Sequence, residues 1–272
     1  MKKLFTSACA LMAVTFALAQ GNVDVTTQVG NLNTATVDQT GWLNQNYLLQ
    51  QGNRNDADID QTGWMNYNNA ISDGNRNSID VDQVGILNSN VVEQVGNRNS
   101  ATTDQFGLGN SVDQYQQGKR NTVYAKQDGI LNEAEQTQIG NRNNASSMQM
   151  GAMNYVNQEQ YGNRNEASAD QLGGDNYIHQ LQDGNRNTAD HTQIGFGNSA
   201  DSHQYGNDNT TLGLQVGSDN DLVQYQWGSN NLADDWQIGN NNYSDTWQTG
   251  QNHVHIGTQI GNGNSMVITQ SN

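Results

Sequence analysis

The sequence predicts an all-β fold, a solenoid of two stacked sheets, and three observations predict it. A register Gln-x-Gly-x-x-Asn returns every 11 residues from Gln28 to Gln270 without an insertion or deletion. Between the fixed positions, small apolar and amide residues alternate with acidic and hydroxyl residues, which is the period of a strand. The chain contains no proline, the residue that cannot donate to a strand ladder. Unbroken phase of this kind indicates identical structural units stacked along an axis.

The N-terminal segment, residues 1–19, is a different kind of sequence and is predicted to be a secretory signal peptide. Lys2 and Lys3 precede an apolar stretch, and Ala17-Leu18-Ala19 offers a cleavage site after Ala19. This segment holds the single cysteine, Cys9, so we expect a mature chain without disulfides. The signal peptide predicts an exported protein without membrane insertion. Loss of Lys2 and Lys3 changes the formal net charge from −16 to −18 (−16 − 2), so we expect the mature chain to repel nucleic acid and anionic membrane surfaces and to bind no nucleic acid.

The fixed positions of the repeat are predicted to form ladders of identical side chains in the core and the turns. With Gln as position 0, positions 5, 7, 9 and 11 lie on one face of a strand and carry Asn, small apolar residues and Gln. This composition is that of a dry zipper with amide ladders, whereas positions 6, 8 and 10 are acidic or hydroxylic and face water. The first predicted ladder residues are Gln28, Gln39, Gln50, Gln61, Gln83, Gln94 and Gln105; Gly30, Gly41, Gly52, Gly63 and Gly74; and Asn33, Asn44, Asn55, Asn66 and Asn77.

The glycine at position 2 is expected to let the chain reverse direction, because it adopts backbone conformations closed to other residues. We expect a strand of about seven residues and a turn of about four, which together make a β-arch. Two arches close one 22-residue coil, and residues 20–272 provide about eleven coils of an amyloid-like cross-β rod about 50 Å long.

Charge at the turns supports a coil made of two successive repeats. Every arginine occupies position 4 of alternate repeats, and the other turns carry apolar pairs such as Trp42-Leu43 and Trp64-Met65. One edge of the rod is therefore predicted to be basic and the other apolar. The predicted arginine ladder is Arg54, Arg76, Arg98, Arg120, Arg142, Arg164 and Arg186.

The array divides into regular coils over residues 20–203 and more divergent coils over residues 204–272. In the second part, arginine gives way to Asp208, Asn230 and Asn252 at position 4, and apolar residues enter the outer face. Relaxed drift within the repeat explains this change, and a zone specialised for nucleation or docking is the alternative.

Aspartates that recur once per coil are predicted to stack on the outer face. Asp38, Asp60, Asp82 and Asp104 share position 10, and two charges about 4.8 Å apart in water repel by roughly 1 kcal/mol. We expect them to act as gatekeepers that delay aggregation before export. A simpler role in keeping the face soluble is the alternative.

The sequence offers no catalytic, cofactor or metal site. His179, His191 and His203 follow one another at intervals one residue longer than the repeat, so we expect them to change face and not to stack. His253 and His255 share a face, but replacement of a repeat asparagine explains His253 more simply than metal binding. The regular faces also lack the enclosed pocket that perturbed catalytic groups need, so we expect no enzyme.

The register from Gln28 to Gln39, Gln-Val-Gly-Asn-Leu-Asn-Thr-Ala-Thr-Val-Asp-Gln, resembles the curlin repeat at each of its fixed positions. The resemblance covers essentially the whole mature chain, and it implies a subunit of extracellular curli amyloid fibres at the cell surface. It further implies passage through the periplasm and an outer-membrane export pore, nucleation by a minor curlin, and a place in biofilm matrix and adhesion. The chain departs from familiar curlins in having about eleven coils where five are usual, and in entering the register already at Asn22.

These observations together predict a secreted structural subunit that polymerises with itself, head to tail, without a cofactor. Neither end of the register carries a predicted cap, so each end would template the next copy. The regular coils favour a major, long curlin subunit. The alternatives are a minor curlin that nucleates such fibres, and a monomeric binding solenoid, either adhesive or ice-binding.

Overall fold

A computed structural model describes residues 21–272, and over that range the chain is an all-β solenoid of two parallel sheets. The predicted signal peptide, residues 1–19, lies outside the described residues. The odd-numbered strands form a 12-stranded sheet and the even-numbered strands an 11-stranded sheet, so 23 successive strands make about eleven coils. The predicted fold is confirmed.

The strands of the 12-stranded sheet are β1 (Val23–Asn31), β3 (Gln45–Asn53), β5 (Tyr67–Asn75), β7 (Ser89–Asn97), β9 (Ser111–Lys119), β11 (Glu133–Asn141), β13 (Tyr155–Asn163), β15 (Tyr177–Asn185), β17 (Ser199–Asn207), β19 (Asp221–Ser229), β21 (Tyr243–Gln251) and β23 (Ser265–Ser271). The strands of the 11-stranded sheet are β2 (Thr34–Trp42), β4 (Asp56–Trp64), β6 (Ser78–Ile86), β8 (Ser100–Leu108), β10 (Thr122–Ile130), β12 (Asn144–Ala152), β14 (Glu166–Gly174), β16 (Thr188–Phe196), β18 (Thr210–Ser218), β20 (Leu232–Asn240) and β22 (Val254–Ile260). Residues 21–272 contain no helix, and so none that is long and apolar enough to cross a membrane.

Each inner strand pairs in parallel with the strand one coil before it and the strand one coil after it. The Cα register is unbroken, as in Gln39 with Gln61 and Gly41 with Gly63. Because the repeat length never changes, every column of the sheet holds one position of the repeat, and identical residues stack on one another.

The expected seven-residue strand is too short. β1 to β21 each have nine residues, and only two residues separate one strand from the next. The chain bends at the glycine of position 2, yet positions 1 to 3 still pair with the neighbouring coil, as Gln51 does with Asp73 and Asn53 with Asn75. The bend is therefore built into a continuing ladder, and the backbone loses little pairing at the turn.

The core lies between the two sheets and changes in character along the rod. Aliphatic side chains fill the early coils, and Leu48, Ile59, Ile79 and Val92 are almost fully buried. From Gln114 to Gln180 the centre of the 12-stranded sheet is a column of buried amides. The later coils bury His191 and Asp235, so polar groups replace part of the apolar core there.

Candidate functional site

Two columns of glutamine run through the interior, one in each sheet. Gln39 Nε2 donates to Gln61 Oε1 at 2.7 Å, and Gln61 Nε2 donates to Gln83 Oε1 at 2.8 Å. The second N–H of each amide crosses the core to a backbone carbonyl of the opposite sheet, as Gln83 Nε2 does to Tyr67 O at 2.9 Å. The glutamines thus link neighbouring coils and also tie the two sheets together.

The other sheet has an equivalent glutamine column with one interruption. Gln28 donates to Gln50 at 2.7 Å, and Gln94 donates to Gln116 at 2.8 Å. Ser72 stands between Gln50 and Gln94, and its short side chain reaches neither of them, so Gln94 Oε1 and Ser72 Oγ are buried without a hydrogen-bond partner. Gln105 continues the uninterrupted column of the other sheet.

The asparagine at position 5 completes the hydrogen bonding of the turn. Asn55 Nδ2 donates to Gly74 O at 3.0 Å and to Gln51 O at 3.1 Å, and its backbone N–H donates to Asn33 Oδ1 at 3.0 Å. The same pattern recurs at Asn44, Asn66 and Asn77, and later in the chain. The Oδ1 of each of these asparagines therefore accepts the backbone N–H of the asparagine in the next coil, which the bend removes from the strand ladder. His253 takes this place once, with Nε2 at 3.0 Å from Thr249 O.

The glycines of position 2 form a column at each bend, with φ between +110° and +146°. At Gly118, where φ is +124°, a Cβ atom would lie 1.9 Å from Gly140 O in the next coil. Conformation and close stacking therefore both require glycine. Gly30, Gly41, Gly52, Gly63 and Gly74 meet the same carbonyl in the following coil.

The turn residue at position 4 was not recognised from the sequence as conformationally special. It is left-handed in every described turn, with φ between +54° and +61° for the non-glycine residues, although it is often Leu, Met or Arg. Left-handed backbone is costly for such residues. The occasional Gly, Asn and Asp at this position, as in Gly109 and Asn230, were the available signal.

The seven arginines lie at these left-handed positions along one edge of the rod, and all are exposed. Arg54, Arg76, Arg98, Arg120, Arg142, Arg164 and Arg186 thus form one column at successive coils. Asp208 follows in the column, and its carboxylate accepts two hydrogen bonds of 2.6 Å from Arg186. The hydrogen bond from Arg186 lowers the pKa of Asp208, so this carboxylate ends the basic column as its counter-ion.

An asparagine ladder beside the arginines was missed in the sequence. Asn53 Nδ2 donates to Asn75 Oδ1 at 2.9 Å, Asn75 donates to Asn97 at 3.0 Å, and the ladder resumes from Asn141 to Asn207 after Lys119 interrupts it. The recurring Gly-Asn-Arg-Asn turns were the signal for it. This ladder links the turns of successive coils beside the arginines.

The opposite edge is apolar and exposed in the early coils, whereas Asp175, Asp219 and Asn241 occupy its turns in the later coils. Trp42 and Trp64 pack against each other in neighbouring coils with ring centroids 6.5 Å apart, and more than half of each side chain stays accessible. Leu43, Met65 and Leu87 occupy the left-handed turn positions beside them. The early coils therefore have one basic and one apolar edge.

Asp38, Asp60, Asp82 and Asp104 stack in one column of the outer face, each paired in register with the next. Burial raises the pKa of Asp60, and the neighbouring Asp58 and Asp38 raise it further. Burial also raises the pKa of Asp82, with additional effects from Asp104, Asp60 and Asp80. Asp60 and Asp82 therefore hold protons more tightly than isolated aspartates do.

The sequence predicts that the three spaced histidines change face and share no column; they share none, but the predicted change of face is wrong for His179 and His203. His191 faces the core, but His179 and His203 meet on the outer face with ring centroids 5.1 Å apart. From His179 to His203 the chain advances by one whole coil and two further positions, which restores both the sheet and the face that the shorter step to His191 changes. His255 turns inward and places Nε2 2.9 Å from Asp235 Oδ1.

Asp201 lies between His179 and His203, with Oδ1 3.0 Å from a nitrogen of each ring. Burial raises the pKa of Asp201, but the hydrogen bonds from both histidines outweigh it and hold the pKa below its usual value. The hydrogen bond to Asp201 raises the pKa of His179 against the opposing effect of burial.

Comparison with known proteins matches three segments to one family model. The curlin associated repeat matches residues 30–63, 74–107 and 184–212. No curated protein matches the chain. The matched segments fall in early and late coils of the same solenoid, and each spans at least two successive strands.

Proposed function

Because the curlin associated repeat matches three segments of the chain, we propose that it is a secreted structural subunit that polymerises head to tail into extracellular, curli-type amyloid fibres. Its role is mechanical, in biofilm matrix and adhesion, and it needs no cofactor or catalytic site. By family resemblance, its partners are further copies of itself, an outer-membrane export pore and a nucleating curlin. A signal peptide over residues 1–19 would deliver it to the periplasm.

This proposal rests on the terminal strand of each sheet, which leaves an unpaired edge at both ends of the rod. Within residues 21–272, β1 and β2 each pair on one side only, and so do β22 and β23 at the other end. An unpaired edge offers a row of N–H and C=O groups to any strand of matching register. Because every coil repeats the same 11-residue pattern, a second copy fits the open edge with glutamine on glutamine and glycine on glycine.

The hydrogen-bond directions identify which groups of β23 are free for this contact. Backbone N–H groups at position 6 donate to the following coil, as Tyr243 does to Asn264 O at 2.8 Å, and direction alternates along a strand. The N–H groups of Ser265, Val267 and Thr269 therefore face the open edge. Proline at Val267 and Thr269 removes donors that make no bond within the chain.

Electron microscopy and fibre diffraction on residues 20–272, freed from denaturant, test the proposal. We expect unbranched fibres with a meridional reflection at about 4.7–4.8 Å. The double variant Val267→Pro, Thr269→Pro should keep its β circular dichroism but remain as short rods, whereas Val267→Ala, Thr269→Ala should still form fibres. Stable monomeric rods of the unmodified chain would refute the proposal and favour a binding solenoid. Fibres from the proline variant would refute the head-to-tail contact at β23.

A role as the minor, nucleating curlin is the second candidate, and the outer face of residues 204–272 supports it. Tyr225 and Trp247 stack there with centroids 4.6 Å apart, and Ile256 and Val267 are exposed by 70% and 63%. Seeds of this chain should shorten the lag of a major curlin if it is a nucleator. In the role of a major subunit it should instead form fibres by itself after a lag.

A further inference from the structure

His179, Asp201 and His203 form a compact group of nitrogen and oxygen donors on the outer face of the 12-stranded sheet. His179 lies on β15 and pairs in register with Asp201 on β17, and His203 follows two residues later on the same face. The strands are held at both flanks by β13 and β19, so the three side chains project from a rigid surface. All three are partly buried, with 19%, 40% and 24% of their side chains exposed.

The distances between the donor atoms fit one face of a tetrahedron around a metal ion. His179 Nδ1 and His203 Nε2 are 3.3 Å apart, and Asp201 Oδ1 lies 3.0 Å from each of them. Ligands at about 2.0–2.1 Å from a tetrahedral Zn²⁺ ion are separated by about 3.3 Å. The three atoms therefore need to move only a few tenths of an ångström to share an ion.

A second carboxylate stands behind His179. Glu159 Oε1 is 3.9 Å from His179 Nε2, on the side of the ring away from Asp201, and Tyr161 Oη donates to Glu159 Oε2 at 2.9 Å. Metal-binding histidines commonly give their other N–H to a carboxylate, which fixes the tautomer and the ring orientation. At 3.9 Å Glu159 makes no hydrogen bond to His179, but an approach of about 1 Å would let it accept the Nε2–H while Nδ1 faces the ion.

Aromatic rings hold the second histidine. His203 meets Tyr225 with centroids 5.5 Å apart and Tyr205 with centroids 6.4 Å apart, both close to edge-on. These contacts limit rotation of the imidazole and so preserve its position beside Asp201. A preformed donor set of this kind loses little side-chain entropy on binding an ion.

We propose that His179 Nδ1, Asp201 and His203 Nε2 bind one Zn²⁺-class divalent cation on the outer face of the rod, with Glu159 as the supporting carboxylate. Two imidazoles and one carboxylate are one of the donor sets that bind Zn²⁺, and the partial exposure of all three side chains leaves room for a water as fourth ligand. The site lies wholly within one chain, so its presence does not depend on fibre formation. In a polymer it would recur once per subunit along the outside.

Calorimetric titration of residues 20–272 with ZnCl₂ tests this site, and Co²⁺ gives a second readout. We expect one Zn²⁺ per chain and an intense visible absorption with Co²⁺ from tetrahedral coordination. His203→Thr and His179→Asn should abolish the one-to-one binding. Both substitutions suit the sheet, because Thr137 and Asn157 already occupy the same repeat positions in other coils. Glu159→Gln should weaken binding by roughly tenfold or more.

His253→Asn is the matched control, because it removes a histidine outside the group and restores the repeat asparagine. It should leave the stoichiometry and affinity unchanged, and β circular dichroism should be the same for all variants. Absence of Zn²⁺ binding by the unmodified chain would overturn the proposal and leave a hydrogen-bonded His–Asp–His cluster. One-to-one binding that survives His203→Thr, or is lost in His253→Asn, would equally overturn it.

Discussion

Ser72 shows how much one residue contributes to a stacked column. It replaces the only glutamine missing from the register, and it leaves Gln94 Oε1 buried without a donor. On the other side, Gln50 Nε2 reaches only Thr34 O, so its second N–H points to Ser72 without a partner in the column. A buried polar group without a partner costs about 1–3 kcal/mol, more than the net gain from making one bond.

The substitution Ser72→Gln should therefore stabilise the protein. The new amide would accept from Gln50 and donate to Gln94, as the other glutamines do, and should raise the free energy of unfolding by about 1–2 kcal/mol. Guanidinium unfolding followed by circular dichroism measures this. Ser72→Asn is the control, since its shorter amide cannot reach both neighbours. Equal effects of the two substitutions would show that the gap in the column has no energetic consequence.

His191 is a fully buried imidazole between two amides. Gln180 Nε2 lies 2.9 Å from Nδ1, and Nε2 lies 3.1 Å from Gln224 Oε1, an arrangement that suits the neutral ring. Gly213 leaves room for it, because a Cβ atom there would lie 2.5 Å from His191 Cδ2. Burial lowers the pKa of His191 to about 4, against smaller raising effects of Gln224, Asp201 and Asp235.

Stability should therefore fall in acid through His191. The unfolded chain takes up a proton near pH 6.5 but the folded chain only near pH 4, so the contribution is complete above pH 6.5 and is lost as the pH falls toward 4. The loss is about 3 kcal/mol. The raised pKa values of outer-face aspartates act in the opposite direction, so the comparison is with His191→Gln, which should lack this component. Identical pH profiles of the two proteins would contradict the assignment.

At the scale of the element, the β-arch depends on two nearby left-handed positions that differ in what they tolerate. Position 2 stacks on the glycine carbonyl of the next coil, whereas position 4 projects outward beside side chains only. At Gly109, in position 4, an added Cβ would meet the flexible tip of Leu131 at 2.9 Å. At Gly118, in position 2, it would meet backbone at 1.9 Å.

Gly118→Ala should accordingly be far more destabilising than Gly109→Ala. Gly109→Ala should cost about 1–2 kcal/mol of unfolding free energy, the penalty of one left-handed residue. Gly118→Ala also breaks the stacking of two coils and should lower the free energy of unfolding by more than about 4 kcal/mol. Guanidinium midpoints of the two variants test the difference. Similar midpoints would mean that the bend relaxes around the new methyl group.

The sequence predicts the parts of this fold that repeat, because every repeat confirms the phase of the others. The alternation of buried and exposed residues, the parallel register and the 22-residue coil all follow from it. The nine-residue strands were missed because glycine was interpreted as the end of pairing, although Gly52 and Asn53 still pair with the next coil. Among the site residues, His179 and His203 were expected on different faces, because their spacing was compared with the 11-residue repeat and not with the 22-residue coil.

At the scale of the whole molecule, the stacked aspartates make assembly depend on pH. Asp60 and Asp82 have raised pKa values in the folded state, so protonation favours that state increasingly as the pH falls through those values. Every subunit added to a growing rod also stacks its own charge, of −18 for residues 20–272 (−16 − 2 for Lys2 and Lys3), onto that of the others. Repulsion on the outer face therefore opposes assembly most strongly near neutral pH.

The lag before assembly should be shorter at pH 4 than at pH 7 if these aspartates are gatekeepers. Asp82→Asn should shorten the lag at pH 7, because it removes a charge from within the column. Asp73→Asn is the control, since Asp73 stacks on Gln51 and Val95 and removes the same charge away from other carboxylates. Thioflavin fluorescence follows the lag. Equal lags at the two pH values would refute the gatekeeper role, and equal effects of the two variants would leave solubility as the explanation.

The direction of the glutamine hydrogen bonds has a consequence for how such rods can join. Except at the gap beside Ser72, the glutamine amide nitrogens of both columns donate toward the C-terminal coil, so within residues 21–272 Gln28 and Gln39 end one column each with a free acceptor oxygen. Gln270 ends the longer column with a free donor, its other N–H being bound to Val254 O. The rod is therefore polar, with an acceptor pole at its N-terminal end and a donor pole at its C-terminal end. Two rods that meet by unlike poles continue the amide chain, whereas like poles place oxygen against oxygen or N–H against N–H, and a filament built this way carries one uniform polarity along its length.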